Sequence, residues 1–180
     1  MPTPVLPSRD LAWPIPWAAV VLIAQKEGLR LKAYRCPAGV WTIGWGQTGG
    51  VQPGDVWSKS EADAQLCRTL ADLTAEVTAL CTRTPTEHEL GALVSLAYNI
   101  GLGALRRSTV LRQFNAGNLQ AAARAFGLFN KARVNGQLQE LTGLTARRAA
   151  EAALFLTPTD DDEHQAPMPQ AVASESHLAA

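Results

Sequence analysis

Residues 27–48 read EGLRLKAYRCPAGVWTIGWGQT, a stretch in which proline and glycine separate short runs of strand-forming residues. The segment 37–39, Pro-Ala-Gly, has the composition of a turn. The residues after it alternate between the two faces of a strand: Trp41, Ile43 and Trp45 on one, and Val40, Thr42 and Gly44 on the other. The stretch therefore predicts a small antiparallel sheet.

Helical periodicity precedes and follows this sheet. Residues 17–26 predict a first helix that ends near Gly28. Two capping boxes mark later helix starts, Ser58 with Glu61 and Thr86 with Glu89, and Gly101 is a predicted helix stop. Shorter helical patterns cover about 104–115, 118–129 and 143–155. The fold class predicted is α+β, a small antiparallel sheet next to a larger helical lobe with a cleft between them.

Composition divides the chain into three segments. Residues 1–12 are predicted to be a flexible leader, 13–156 a single domain, and 157–180 a disordered acidic tail that is poor in large apolar residues. All 16 lysine and arginine residues precede residue 157, whereas five of the 16 acidic residues follow residue 156. The domain is therefore cationic, which suits an anionic partner such as a cell wall or nucleic acid, although on charge alone an ordinary solvated surface is the preferred explanation.

Several classes of function find little support in the sequence. No run of basic residues exceeds two, so a nucleic-acid interface is not expected. Three cysteines at irregular spacing, Cys36, Cys67 and Cys81, form neither a disulfide framework nor a zinc motif. The uncharged segment 11–24 is interrupted by Pro14 and Pro16, and it is shorter than the roughly 20 residues that a membrane span needs.

Three polar residues near the predicted sheet form a candidate catalytic group. Glu27 closes the first helix, Cys36 follows after eight intervening residues, and Thr42 follows after five more. A helix end, a hairpin edge and a strand can converge on one cleft. Taken singly, each residue also has an ordinary structural explanation: a solvated surface glutamate, a small buried cysteine and a threonine favoured in strands.

The spacing of these residues resembles the Glu-x8-Asp/Cys-x5-Thr signature of the phage-type lysozymes, the endolysin family of glycoside hydrolases. Three later segments resemble further parts of that family in the same order: ALVSLAYNIGLGAL at 92–105, STVLRQFNAGN at 108–118 and GLTARRAAEAALF at 143–155. The resemblance covers about residues 17–156 and implies a lysozyme-like fold. It also implies hydrolysis of the β-1,4 bond between N-acetylmuramic acid and N-acetylglucosamine in peptidoglycan.

The resemblance assigns roles that fit the chemistry of glycoside cleavage. Glu27 is expected to be the general acid, with its pKa raised by a partly apolar helix-end setting. Cys36 stands where the family usually has an aspartate that handles the attacking water or the charged transition state. Thr42 is expected to orient that water. An ordinary thiol is mostly neutral at pH 7, so Cys36 is the weakest point of this assignment.

Other positions have two interpretations each. Asn99 either binds a sugar acetamido group, as its counterpart in the family does, or caps a helix beside Gly101. Tyr34, like Trp45 and Trp57, either stacks on sugar or belongs to the core. Gln47 stands where many relatives have a histidine that is structural in the family, so this departure is expected to affect stability more than activity.

The resemblance also implies a biological setting. It suggests a monomeric enzyme, without metal or cofactor, that is made in the bacterial cytoplasm and reaches the wall through a holin-type membrane pore. Two alternatives remain at this point. One is a lysozyme-fold protein that binds peptidoglycan without cleaving it. The other is a cysteine hydrolase, for which the histidines present are His88, His164 and His177, two of them in the predicted tail.

Overall fold

The computed structural model describes residues 5–36, 39–134 and 136–159, and within these ranges the chain forms seven α-helices and two antiparallel hairpins. The elements are α1 Trp17–Glu27, β1 Arg30–Arg35, β2 Trp41–Gly44, α2 Lys59–Leu80, α3 Glu87–Ile100, α4 Leu102–Arg106, α5 Thr109–Asn115, α6 Leu119–Phe126, β3 Lys131–Val134, β4 Gln137–Glu140 and α7 Thr142–Phe155. A short 3-10 helix, Gly127–Phe129, follows α6. The predicted α+β class is confirmed.

Helix α3 is the centre of the helical lobe. Its residues 91–97 are all buried, and it packs against α1, α2 and α7. Both predicted capping boxes are present. The hydroxyl oxygens of Ser58 and Thr86 each accept a hydrogen bond from the backbone N–H of the glutamate three residues later, and the carboxylate of that glutamate accepts one from the backbone N–H of the serine or threonine. Gly101 ends α3 as predicted. The predicted helix at 104–115 is instead two helices, because Ser108 caps a new helix by accepting the Leu111 N–H at 3.0 Å.

The first hairpin pairs β1 with β2, and Tyr34 lies opposite Thr42. The prediction that Trp41, Ile43 and Trp45 share one face of a strand is wrong for Trp45, because β2 ends at Gly44. Trp45 lies in a tight turn closed by mutual backbone hydrogen bonds of 2.9 Å between Ile43 and Gln47. Its ring is fully buried in the helical core, where Nε1 donates to Asp63 at 2.8 Å. The turn thereby joins the sheet to the helical lobe.

The second hairpin, β3–β4, was not predicted from the sequence. Its strands pair from Lys131 opposite Glu140 to Val134 opposite Gln137. Every residue of β4 is exposed, and in β3 burial alternates only between exposed and intermediate. A hairpin with so little burial lacks the apolar alternation that identifies strands in a sequence.

The segment before α1 contacts the domain. The Ser8 N–H donates to Asp63 Oδ2 at 2.9 Å, and Trp13 Nε1 donates to the Ser8 carbonyl at 3.0 Å. Pro7 is buried, so part of the segment assigned to a flexible leader lies against α2. Most of the predicted acidic tail at 157–180 lies outside the described residues, which end at 159, as does part of the predicted turn at 37–39. No helix in the described part of the chain has the length and hydropathy needed to cross a membrane.

Close packing between α1 and α3 depends on Gly91. A Cβ atom at this position would lie 2.9 Å from Ala19 Cβ and 3.3 Å from Pro16 Cδ. We expect Gly91→Ala to lower the free energy of unfolding by about 1–3 kcal/mol, because backbone and short side chains cannot move aside cheaply. Gly103→Ala is the matched control: an added Cβ there meets only the end of the Arg107 side chain, at 3.8 Å. Urea unfolding of both variants tests the prediction, and equal stability would contradict it.

Candidate active site

Glu27 is the last residue of α1, at the junction between the helical lobe and the first hairpin. Its side chain is 23% exposed, and its Oε1 accepts a hydrogen bond from Arg147 Nη1 at 2.9 Å. Gly28 ends the helix, and its N–H bonds to the Ala24 carbonyl at 2.9 Å. The setting of Glu27 is less apolar than expected, because a cation from α7 lies against its carboxylate.

Arg147 bridges two carboxylates. Its side chain is 4% exposed, and while Nη1 donates to Glu27, Nε donates to Glu151 Oε1 at 3.1 Å. Nη2 reaches the Ser95 carbonyl on α3 at 3.4 Å. Since a guanidinium group is planar and its donors are fixed relative to one another, these contacts set the direction from which Arg147 meets Glu27.

Gly46 connects Glu27 to a cleft. A Cβ atom on Gly46 would lie 3.1 Å from Glu27 Oε2, so the backbone of the turn runs directly against the carboxylate. Gly46 also lines a cleft of about 620 Å³ between the turn, α2 and the end of α3. The carboxylate of Glu27 thus lies behind one wall of this cleft, while neither Cys36 nor Thr42 lines it.

The residues that line the cleft include five with uncharged hydrogen-bonding side chains. They are the side chains of Gln47, Thr48, Gln65, Thr69 and Tyr98, with Trp57 as the aromatic member and Asp72 and Glu76 as the charged ones. Hydroxyl and amide groups beside an aromatic ring are the combination that binds sugar hydroxyls and sugar rings. Within the described residues, no group of three or more His, Cys, Asp or Glu side chains could hold a metal ion.

Tyr98 and Gln47 hold the turn that carries Gly46. The Tyr98 hydroxyl donates to the Trp45 carbonyl at 2.8 Å, and Gln47 Oε1 accepts the Trp45 N–H at 2.7 Å. Gln47 Nε2 lies 3.4 Å from the Tyr98 oxygen. Burial raises the pKa of Tyr98, and the nearby Glu27 charge raises it further, so the phenol remains a hydrogen-bond donor. Gln47 therefore has a structural role in the turn.

Cys36 and Thr42 lie on the first hairpin. The Cys36 N–H donates to the Val40 carbonyl at 2.9 Å, just after β1 ends. Thr42 is on β2, 4% exposed, and its hydroxyl donates to the same Val40 carbonyl at 3.1 Å. The hydroxyl proton is thus already used, and Thr42 can serve a water molecule only as an acceptor. Cys36 and Thr42 therefore both contact Val40 on the hairpin that follows α1, the helix that ends at Glu27.

Asn99 and Tyr34 occupy different surroundings. Asn99 is exposed near the end of α3, and its Oδ1 accepts a hydrogen bond from Arg148 Nη2 at 2.9 Å. The helix ends on Gly101, whose own N–H makes the cap bond, so the predicted alternative of Asn99 as the cap does not hold. The Tyr34 ring is partly buried, and the Arg30 guanidinium lies over it, 4.2 Å from the ring centroid. Arg30 therefore already covers one face of this ring.

Sequence reasoning did not single out Arg147, Tyr98 or Gly46. Arg147 lies 120 residues from Glu27 in the chain, and only the fold brings the two together. A local signal was nonetheless present: Arg147 and Arg148 precede Glu151 by four and three residues, which places all three on one face of a helix. Their near-complete burial distinguishes this group from a solvated surface pair.

The contact between Gly46 and Glu27 predicts an effect on activity. Gly46 has φ +94°, so Gly46→Ala adds backbone strain and also a methyl group against the carboxylate. We expect kcat to fall roughly 10-fold, because a misplaced general acid transfers its proton poorly. Gly50→Ala is the control, since Gly50 has φ +72° but an added Cβ meets nothing within 4 Å. Equal kcat values in the two variants would show that the contact with Glu27 is unimportant.

A helical lobe joined to a small hairpin, with a glutamate at the end of the first helix beside a polar cleft, defines the lysozyme-like class of α+β proteins. Comparison with known sequences agrees: the phage lysozyme family matches residues 24–151. The chain belongs to the phage lysozyme family. The predicted family and the predicted enzyme class, a lysozyme-type glycoside hydrolase, are confirmed.

Individual relatives extend this similarity over the domain. An endolysin of Acyrthosiphon pisum secondary endosymbiont phage 1 is 43% identical over 136 residues, which are 76% of this chain and 93% of the relative. An endolysin of Bacillus phage B103 is 41% identical over 143 residues, 78% of this chain, and this chain spans about half (53%) of its length. The muramidase domain of SpmX from Asticaccaulis excentricus has a similar structure, with a TM-score of 0.75, 40% identity and coverage of 81% of this chain and 99% of that domain.

Proposed function

We propose that this chain cleaves the β-1,4 bond between N-acetylmuramic acid and N-acetylglucosamine in peptidoglycan, with Glu27 as the general acid. The observation that carries the proposal is the position of Glu27, which is partly exposed, fixed by Arg147 at 2.9 Å and in contact with the turn that lines the cleft. A general acid must be held within reach of the leaving oxygen while staying accessible to it. The partial exposure of Glu27 and its bond to Arg147 support this role, and the glycan must extend from the cleft past the turn to reach the carboxylate.

The chemistry needs a second function besides the acid. When Glu27 protonates the glycosidic oxygen, the departing sugar leaves as a neutral alcohol, positive charge develops on the anomeric carbon of the other sugar, and a water molecule must attack that carbon. Cys36 and Thr42 are the residues proposed for this part. The Thr42 oxygen can accept a hydrogen bond from the water, and a Cys36 thiolate would stabilise the positive charge.

The cleft is proposed to hold the glycan strand. Its hydroxyl and amide groups match the hydroxyl and acetamido groups of the sugars, and Trp57 offers a ring on which a sugar can stack. Asn99 is proposed as a further sugar contact, because the bond from Arg148 to its Oδ1 fixes the amide while the residue remains exposed. Tyr34 is a weaker candidate, since Arg30 already lies over its ring.

Digestion of purified Gram-negative peptidoglycan tests the proposal. The wild-type protein is expected to reduce turbidity and to release soluble fragments whose new reducing ends are N-acetylmuramic acid. Borohydride reduction followed by mass spectrometry identifies that sugar. New amino groups without new reducing ends would indicate an amidase instead. Reducing ends on N-acetylglucosamine would indicate cleavage of the other glycosidic bond.

The alternative of a non-catalytic wall-binding protein rests only on Cys36, which stands where the family usually has aspartate. Binding of the folded protein to sacculi without any release of reducing ends would favour it. The cysteine hydrolase has less support. Of the three histidines, His88 lies within the described residues, near the start of α3. Its Nδ1 lies 3.2 Å from the Thr157 carbonyl oxygen, and its Nε2 lies 3.8 Å from Glu87 Oε1. About ten residues of helix, roughly 15 Å, separate it from Tyr98 at the site.

The route to the wall is also part of the proposal. We expect synthesis in the cytoplasm, passage through a holin-type pore and action as a monomer. Expression in bacteria with and without a co-expressed pore-forming holin tests this expectation. Lysis that requires the pore would support it, and lysis without any pore would contradict it.

A further inference from the structure

Glu151 is a buried carboxylate to which the proposed mechanism assigns no role. It lies on α7, its side chain is fully buried, and its Oε1 accepts three hydrogen bonds: from Ser95 Oγ at 2.7 Å, from Arg147 Nε at 3.1 Å and from Arg148 Nη2 at 3.1 Å. Its Oε2 forms an ion pair with Arg148 Nε at 2.9 Å. One carboxylate thus organises two arginines and a serine on two packed helices.

The charges in this group balance only when Glu151 is ionised. Arg147 and Arg148 are 4% and 1% exposed, and the carboxylates in contact with them are those of Glu27 and Glu151. A buried arginine without a counter-charge is strongly unfavourable, so each cation needs one of the two anions. Among the described residues, loss of the Glu151 charge would leave Glu27 as the single carboxylate paired with this group, through Arg147.

We propose that Glu151 is a positioning residue for hydrolysis: it holds the Arg147 guanidinium, and Arg147 in turn holds the Glu27 carboxylate. This inference rests on the proposed role of Glu27 as the general acid. Glu151 itself does not touch the substrate, because it is completely buried behind Arg147.

The geometry of Arg147 explains why such an anchor is effective. Its Nε bond to Glu151 and its Nη1 bond to Glu27 use two positions of one rigid plane, so fixing the first fixes the second. Ser95 holds the Glu151 oxygen from α3, the same helix that supplies Tyr98 to the turn beside Glu27. The arrangement therefore links three helices, α1, α3 and α7, to the orientation of one catalytic group.

The test is Glu151→Gln, which keeps the shape of the side chain and removes its charge. We expect kcat to fall roughly 10-fold with KM within about twofold, since a misoriented acid affects the chemical step more than binding. The groups that face the site are Glu27 from α1, Ser95 and Tyr98 from α3, and both arginines from α7. Removal of one negative charge among them strengthens the positive field at Glu27, so the pH above which turnover declines is expected to move down.

Glu89→Gln is the matched control. Glu89, on α3, is a buried carboxylate like Glu151 and pairs with Arg83 at 3.0 Å. Its contacts lie at the start of α3, away from Glu27 and Arg147. Both variants are expected to lower Tm, and only Glu151→Gln is expected to change kcat and its pH profile. If Glu151→Gln does not fold, Ser95→Ala removes one hydrogen bond to Glu151 while keeping the charge. It is then expected to show a smaller loss of kcat.

A double-mutant cycle with Arg147→Lys separates positioning from a merely structural effect. Lysine keeps the charge but cannot bridge two carboxylates as the guanidinium does. If Glu151 acts through Arg147, the double variant should have the kcat of Arg147→Lys alone. Independent, multiplicative losses, or a wild-type kcat in Glu151→Gln, would overturn the proposal. An inactive wild-type protein would instead refute the proposed function, so the two failures are distinguishable.

Discussion

Replacement of Glu27 by glutamine is expected to reduce kcat by about 10³-fold or more, because it removes the proton that the leaving sugar oxygen must receive. In terms of the barrier, a loss of that size corresponds to about 4 kcal/mol. Glutamine keeps the length of the side chain. Its amide oxygen can still accept the hydrogen bond that Arg147 donates to Glu27 at 2.9 Å in the wild-type protein. The variant should therefore fold and bind wall fragments while failing to cleave them.

The measurement is release of reducing ends from purified sacculi, with circular dichroism and sedimentation of the protein with sacculi as controls for folding and binding. Glu27→Asp is a useful companion, since it keeps the acid but withdraws it by one methylene group. We expect it to retain part of the activity. A Glu27→Gln protein that clears sacculi at a rate close to that of the wild type would remove Glu27 from the mechanism.

The sequence predicts the elements of this fold well where a local chemical signal is strong. The capping boxes at Ser58 and Thr86 and the glycine stop at 101 all lie where the pattern places them, because each depends on contacts within a few residues. The β3–β4 hairpin was missed for the opposite reason. Its largely exposed strands carry no apolar alternation, so their pairing is determined by the surrounding chain rather than by their own pattern.

Trp45 shows the limit of periodicity near the site. Alternation continues through residue 45 in the sequence, yet the strand ends at Gly44, and the ring packs into the helical core against Asp63. Asp63 is 18 residues away, and the pairing of an indole N–H with a buried carboxylate cannot be inferred from either residue alone. The turn that carries Gly46 therefore follows from tertiary contacts, and so does its position against Glu27.

The candidate site divides in the same way. Glu27, Cys36 and Thr42 can be named from the sequence because they lie within 16 residues of one another at a recognisable spacing. Arg147, Tyr98 and Glu151 cannot, since they come from helices that meet the motif only in the folded chain. Local sequence thus identifies the groups proposed to react, while the groups that hold them in place require the structure.

Cys36 gives the second large effect. We expect Cys36→Ala to lower kcat by roughly 10²-fold, the loss typical of removing one group that stabilises transition-state charge. Cys36→Asp is expected to retain activity, because a carboxylate supplies the negative charge that the thiolate would supply. Reducing-end release from sacculi measures both, with thermal unfolding as the control for folding. Full activity in a folded Cys36→Ala protein would exclude Cys36 from the reaction.

The pH dependence distinguishes a thiolate from a neutral thiol at this position. An ordinary thiol ionises near pH 8.5 and an aspartate near pH 4, so the aspartate variant carries its charge over a much wider range of acidic pH. If Cys36 acts as a thiolate, the acidic limb of the kcat profile should therefore move to lower pH in Cys36→Asp. If the limb stays in place while Cys36→Ala loses activity, the neutral thiol contributes by its position in the hairpin, and charge stabilisation must come from elsewhere in the site.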